Sequence, residues 1–83
     1  MPAYYLYILK CSDDTLYTGI ATDLKRRVIE HNETDKGAKY TKARRPVKLV
    51  YFKKLKDRSA ASKEEVKIKR LSRLEKLDLI KSK

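Results

Sequence analysis

Apolar and aromatic residues fall into short clusters whose spacing changes along the chain. Tyr4–Lys10 reads Y-Y-L-Y-I-L-K, an aromatic and aliphatic run that favours a strand. Ser12-Asp13-Asp14-Thr15 is a turn signal, and Leu16–Ala21 is a second short strand, so the two form a hairpin. Strand faces alternate. Tyr5, Tyr7 and Leu9 therefore share a face of the first strand, and Tyr17, Gly19 and Ala21 share a face of the second. If Tyr7 pairs with Gly19, both tyrosine sets lie on one side of the hairpin. A slip of one residue would separate them.

Beyond the hairpin the period becomes helical. Thr22 is the expected N-cap, with Asp23 suited to the positive end of the helix dipole, and the helix should run to about Asn32. Leu24 and Val28 define its buried stripe. Arg27 and His31 are i and i+4 neighbours along the edge of that stripe, whereas Arg26 and Glu30 should point to solvent. Periodicity thus selects Arg27 as the arginine facing the hairpin. Residues 32–36 are polar and end the helix. Residues 37–45 read as an irregular basic segment with room for one helical turn. Arg45-Pro46 favours extended backbone, and 47–52 reads as a third strand. A helix should follow from Asp57 or Ser59 to about Leu71. Ser72-Arg73-Leu74-Glu75 has capping-box spacing for a final helix with Leu74, Leu77 and Ile80 as its apolar stripe. No repeat or linker interrupts this order, so residues 1–83 are expected to form one domain.

Composition supports a folded chain: 41% of residues are hydrophobic, and the 40% that are charged include both signs. Charge adds a partner class. The net charge is +11, and residues 36–56 carry lysine and arginine with no acid. Such a block suits a polyanion, because each neutralised phosphate releases condensed counterions. The alternative is a basic surface kept for solubility. The single cysteine, Cys11, excludes an internal disulfide, and no Cys/His cluster suggests zinc. At the end of an apolar run it should be a small packed thiol. No apolar run approaches the roughly 20 residues that a membrane helix needs. The first strand begins almost at Met1 with no signal peptide before it, so a cytoplasmic location is expected.

With these elements in place, the chain resembles the GIY-YIG nuclease superfamily, most closely its small stand-alone bacterial members. The first family motif appears as Tyr5-Leu6-Tyr7 and the second as Tyr17-Thr18-Gly19. The run from Gly19 to Arg27, the following His31, and the basic Gly37-Ala38-Lys39 region leading to Arg45-Pro46-Val47 also fit. Tyr5 stands where the family name has glycine. The resemblance implies an α+β fold, a small three-stranded antiparallel sheet flanked by helices. It also implies a DNA endonuclease that hydrolyses phosphodiester bonds with one divalent metal ion, Mg2+ or Mn2+. It carries Tyr7, Tyr17, Arg27 and His31 onto the catalytic site, and one acidic metal ligand from the later helix. Glu64 and Glu65 are the two candidates. The family register set by Ile68-Lys69 and Leu71-Ser72 favours Glu65.

Each role has a physical basis. Phosphodiester hydrolysis needs an activated water, charge stabilisation on the nonbridging oxygens and help for the leaving oxygen. A tyrosine is a weak base unless its phenolate is stabilised, which a cation such as Arg27 or a metal can do. The planar fork of Arg27 suits a phosphate, and His31 could orient water or contact phosphate. A single carboxylate completed by waters and substrate oxygens suits magnesium, held weakly without DNA. Lys39, Lys42, Arg44, Arg45 and Lys48 are the candidate DNA-backbone contacts, spread in a way that positions DNA rather than reads bases. Low sequence specificity, a structure-selective role in DNA repair or recombination, and a protein partner supplying specificity would follow by analogy. A noncatalytic nucleic-acid-binding module of the same fold is the competing reading.

Overall fold

The computed structural model describes residues 3–34 and 36–82. Strands β1 (Tyr4–Lys10), β2 (Leu16–Ala21) and β3 (Lys48–Leu55) form one antiparallel sheet in the order β2-β1-β3. Helices α1 (Leu24–Glu33) and α2 (Lys39–Lys42) lie between β2 and β3 in the chain, and α3 (Arg58–Lys69) and α4 (Arg73–Lys81) follow. The architecture is α+β, as the sequence pattern and the resemblance imply.

The central strand organises the core. Leu6, Tyr7, Ile8 and Leu9 are all buried, because β1 is covered on both faces. Alternation sorts them. Tyr7 and Leu9 pack with Cys11, Val47, Leu24 and Val28, which is the α1 side. Leu6 and Ile8 pack with Ile68, Leu71, Leu79 and Ile80, which is the α3 and α4 side. Full burial of each aliphatic side chain is worth about 1.5–3 kcal/mol. Tyr7 pairs with Gly19, so the hairpin register places the two tyrosine sets on one face. The turn closes through Cys11 N–H to the Thr15 carbonyl at 2.9 Å and Asp14 N–H to the Cys11 carbonyl at 3.0 Å, with Asp14 at φ 66°. Aspartate tolerates that left-handed conformation better than most residues.

Several boundaries differ from the pattern-based expectations. The N-cap of α1 is Asp23 rather than Thr22, its carboxylate accepting from Arg26 N–H at 3.1 Å. Strand β3 extends through Lys53, Lys54 and Leu55, because β1 offers Tyr4, Tyr5 and Leu6 as ladder partners. Lysines on an edge strand also discourage pairing with another chain. On α4 the capping box forms at Ser72 and Glu75, but Leu74 is 75% exposed. Ile80, expected on the stripe, does pack on the core, and Leu79 joins it there. No helix among the described residues is long and apolar enough to cross a membrane.

Candidate active site

The site begins with a glycine. A β-carbon on Gly19 would sit 2.5 Å from the Tyr7 phenol oxygen and 2.6 Å from Cζ. The Tyr7 side chain therefore lies across the β2 backbone, and only a residue without a side chain leaves it room. Tyr7 is 1% exposed, and its oxygen lies 2.9 Å from His31 Nε2. His31 comes from α1, one turn beyond Arg27, and is fully buried. The Tyr17 ring packs against His31 at a centroid distance of 5.3 Å and stacks on Tyr40 at 5.9 Å. The Arg44 guanidinium covers Tyr40 at 3.9 Å.

The second glycine of the chain acts on the same pair. A β-carbon on Gly37 would meet His31 Cα at 2.7 Å and the Glu30 carbonyl at 2.8 Å. Its absence lets the 36–41 segment press on α1. That brings Thr41 Oγ1 to 2.7 Å and Ala38 N to 3.3 Å from His31 Nδ1. Thr41 is itself fully buried.

Arg27 lies beside this core with its side chain 28% exposed. It donates to the Lys36 carbonyl at 2.8 Å and to Glu30 at 3.0 Å. Glu30 was expected to face solvent, but its carboxylate bridges Arg27 and Arg26. These residues border a cleft of about 200 Å³ lined by Ile20, Ala21, Thr22, Asp23, Arg26, Arg27 and Glu30.

Burial and charge set the protonation states. Burial pushes the Tyr7 phenol above its ordinary value, while the adjacent Arg27 guanidinium pulls it back down. Burial, reinforced by Arg27, holds His31 down to about 4, so the imidazole is neutral at physiological pH. The Glu30 carboxyl is held low, first by its hydrogen bond with Arg27 and also by Arg26.

The two glutamates of α3 point to different neighbours. Glu64 pairs with Lys53 of β3 at 3.2 Å. Glu65 pairs with Lys69 along the helix at 3.3 Å, and its charge is felt at the Tyr7 phenol. Among the described residues no group of three or more histidine, cysteine or acidic side chains could hold a metal ion. Glu65 is half-buried and, among the described residues, pairs with a partly exposed lysine, which suits a carboxylate that could contribute to a magnesium shell completed by water and substrate oxygens.

The basic segment divides. Lys39, Lys42 and Lys48 are exposed. Arg44 reaches Asp13 at 3.0 Å and the Tyr40 carbonyl at 3.0 Å. Arg45, expected among the DNA-backbone contacts, turns inward. Its guanidinium donates to the His31 carbonyl at 2.6 Å, to the Glu30 carbonyl at 3.5 Å and to the Thr34 carbonyl. The last turn of a helix leaves carbonyls without partners, and an arginine fork can satisfy them. Sequence reasoning missed Thr41, Tyr40 and the bridging role of Glu30. Nothing in a one-turn helix announces which hydroxyl will be buried, although a threonine four residues after a glycine beside a histidine-bearing helix was a usable cue.

Comparison with known proteins places the chain among similar sequences and folds. The family described as the GIY-YIG catalytic domain matches residues 3–78. A UPF0213 protein of Desulfotalea psychrophila is 54% identical over 81 residues, covering 98% of this chain and 74% of its own. A UPF0213 protein of Syntrophus aciditrophicus is 53% identical, covering 98% and 93%. The solution NMR structure of a UPF0213 protein from Bacillus halodurans superposes with a TM-score of 0.63 at 41% identity, covering 98% of this chain and 85% of that one.

Proposed function

This chain belongs to the GIY-YIG nuclease domain family, and from that premise we propose that it is a metal-dependent endonuclease acting on DNA. Membership implies nuclease activity. The observation that carries the finer reading is the convergence of Tyr7, Tyr17, His31 and Arg27 at the junction of β1, β2 and α1.

In this reading Arg27 binds the scissile phosphate, held for the task by Glu30 and the Lys36 carbonyl. Tyr7 takes the proton from the attacking water. Of the two tyrosines it has both an imidazole nitrogen and a guanidinium beside its oxygen to stabilise a phenolate. In the resting protein the phenol is protonated, and burial reinforces that; Arg27, and a divalent ion if Glu65 held one, would supply the positive charge that favours the phenolate. Glu65 would hold one magnesium or manganese ion, which when bound would supply Lewis-acid stabilisation of charge on phosphate oxygens. Lys39, Lys42, Arg44 and Lys48 position the DNA backbone. The lack of any base-reading element in the proposal favours structure over sequence as the basis of selection, in keeping with a repair or recombination role.

Cleavage of linear, nicked, branched and single-stranded DNA with magnesium or manganese tests the reading. Wild type should cut at least one substrate, and Arg27→Ala and Glu65→Ala should each lose about 100-fold or more. Activity surviving both substitutions would overturn the site assignment. Salt-dependent DNA binding with no cleavage of any substrate would favour the noncatalytic module.

A further inference from the structure

His31 is the only histidine in the chain, and each of its ring nitrogens has a defined polar neighbour. Which nitrogen carries the hydrogen decides what the imidazole can do for Tyr7. If Nε2 bears a lone pair, His31 can accept the phenol proton and act as its base. If Nε2 bears the hydrogen, His31 can only donate to the phenol oxygen.

A count of donors and acceptors around Nδ1 decides between the two. The Ala38 N–H is directed at Nδ1 at 3.3 Å. The Thr41 hydroxyl lies 2.7 Å from Nδ1 and 2.9 Å from the Ala38 carbonyl oxygen, and has one hydrogen to give. That carbonyl already accepts from Thr41 N–H and Lys42 N–H, both at 3.1 Å, which uses its two lone pairs. The hydroxyl hydrogen is therefore best placed on Nδ1, at the shorter distance. A hydrogen on Nδ1 would instead face the Ala38 N–H directly and leave that partly buried donor unpaired.

We propose that Thr41, with the Ala38 amide, is a positioning residue that fixes His31 in the Nε2–H tautomer, so that His31 donates a hydrogen bond to the Tyr7 oxygen. The consequence for the reaction rests on the nuclease reading above. His31 is then not the acceptor of the Tyr7 proton. That proton must leave by a route other than the imidazole. The imidazole stabilises the phenolate that remains. The neutrality of His31 agrees with this role. Thr41 also gives the 37–45 segment a purpose beyond its charge: its one-turn helix is a clamp on the imidazole.

The test is nitrogen-15 NMR of the full chain near pH 7, where a single histidine makes assignment unambiguous. The nitrogen correlated with both carbon-bound ring protons is Nε2. In wild type it should resonate as a hydrogen-bearing nitrogen, with Nδ1 as a lone-pair nitrogen. Thr41→Val keeps the shape but removes the shorter donor, and a population of the Nδ1–H form should grow. Thr41→Ser should retain the wild-type pattern. On DNA that the wild type cuts, Thr41→Val should lower kcat about tenfold with KM unchanged, and Thr41→Ser should restore it. An Nδ1–H pattern in wild type overturns the proposal, as does a Thr41→Val spectrum identical to wild type. The spectrum is read without activity, so an Nε2–H pattern in a chain that cuts nothing upholds the tautomer and rejects the nuclease reading instead.

Discussion

The two faces of the sheet are built on opposite principles. The face under α3 and α4 is held by Leu6, Ile8 and Ile68, with Leu71, Leu79 and Ile80 packed around them. Its one buried polar exception is the Thr18 hydroxyl, which has no hydrogen-bond partner there. The face under α1 buries a phenol, an imidazole and a hydroxyl in one hydrogen-bonded chain, Tyr7 to His31 to Thr41. An apolar face tolerates substitution as long as volume is kept, whereas a buried polar chain is sensitive at every link. The difference separates the residues that hold the fold from those proposed to shape the chemistry, although both descend from alternate positions of β1.

That separation can be broken most forcefully at Gly19. Gly19→Ala puts a methyl group against the Tyr7 phenol, and DNA cleavage should fall by about 100-fold or more. Wild-type cleavage rates in this variant would show that the Tyr7 position is not critical. On the opposite face, Ile8→Ala should cost about 3 kcal/mol in denaturant unfolding. Cleavage per folded molecule should stay within about twofold of wild type if the faces are as independent as distant sites usually are.

Acid should weaken the site face before it touches the surface carboxylates. An unfolded chain protonates His31 at its ordinary 6.5, while the folded chain resists until about 4. Stability on this account is complete above pH 6.5 and is lost as pH falls toward 4, by at most about 3 kcal/mol. Below 4 both states carry the proton and the loss stops. Thermal unfolding across that window should show the decline in wild type and not in His31→Gln. A smaller effect is expected at Thr18. Thr18→Val removes an unpaired hydroxyl from the apolar face and should stabilise the protein by about 1 kcal/mol with cleavage intact. At Leu74, three-quarters exposed, alanine should change stability by less than about 0.5 kcal/mol.

Much of the scaffold was legible from pattern alone, because period-two and period-3.6 signals report burial directly. Hairpin alternation showed that a Tyr7–Gly19 register would put both tyrosine sets on one face, which is the register found, and Arg27 rather than Arg26 followed from the helical stripe. The Ser72 capping box was visible as a four-residue motif. Legibility fails where position depends on contacts distant in sequence. Residues 37–45 have no period, so their charges were apparent but not their directions, and Arg45 and Thr41 point inward for reasons that lie on α1. Leu74 shows the opposite limit: its spacing fits a stripe, but the short helix leaves its first turn beyond the core.

The inward turn of Arg45 also bears on the protein as a polyelectrolyte. Formal charge counts every basic side chain equally, yet a guanidinium that spends three of its five N–H donors on carbonyls at the end of α1 has fewer to offer a phosphate than an exposed lysine or arginine. The effective valence toward DNA is therefore lower than the composition suggests. Each phosphate neutralised adds about 0.9 to the dependence of log affinity on log salt. A contributing lysine such as Lys39 should lower that slope when removed. Removal of Arg45 should change it less and instead loosen the end of α1, so the two kinds of positive charge can be told apart by titrating salt.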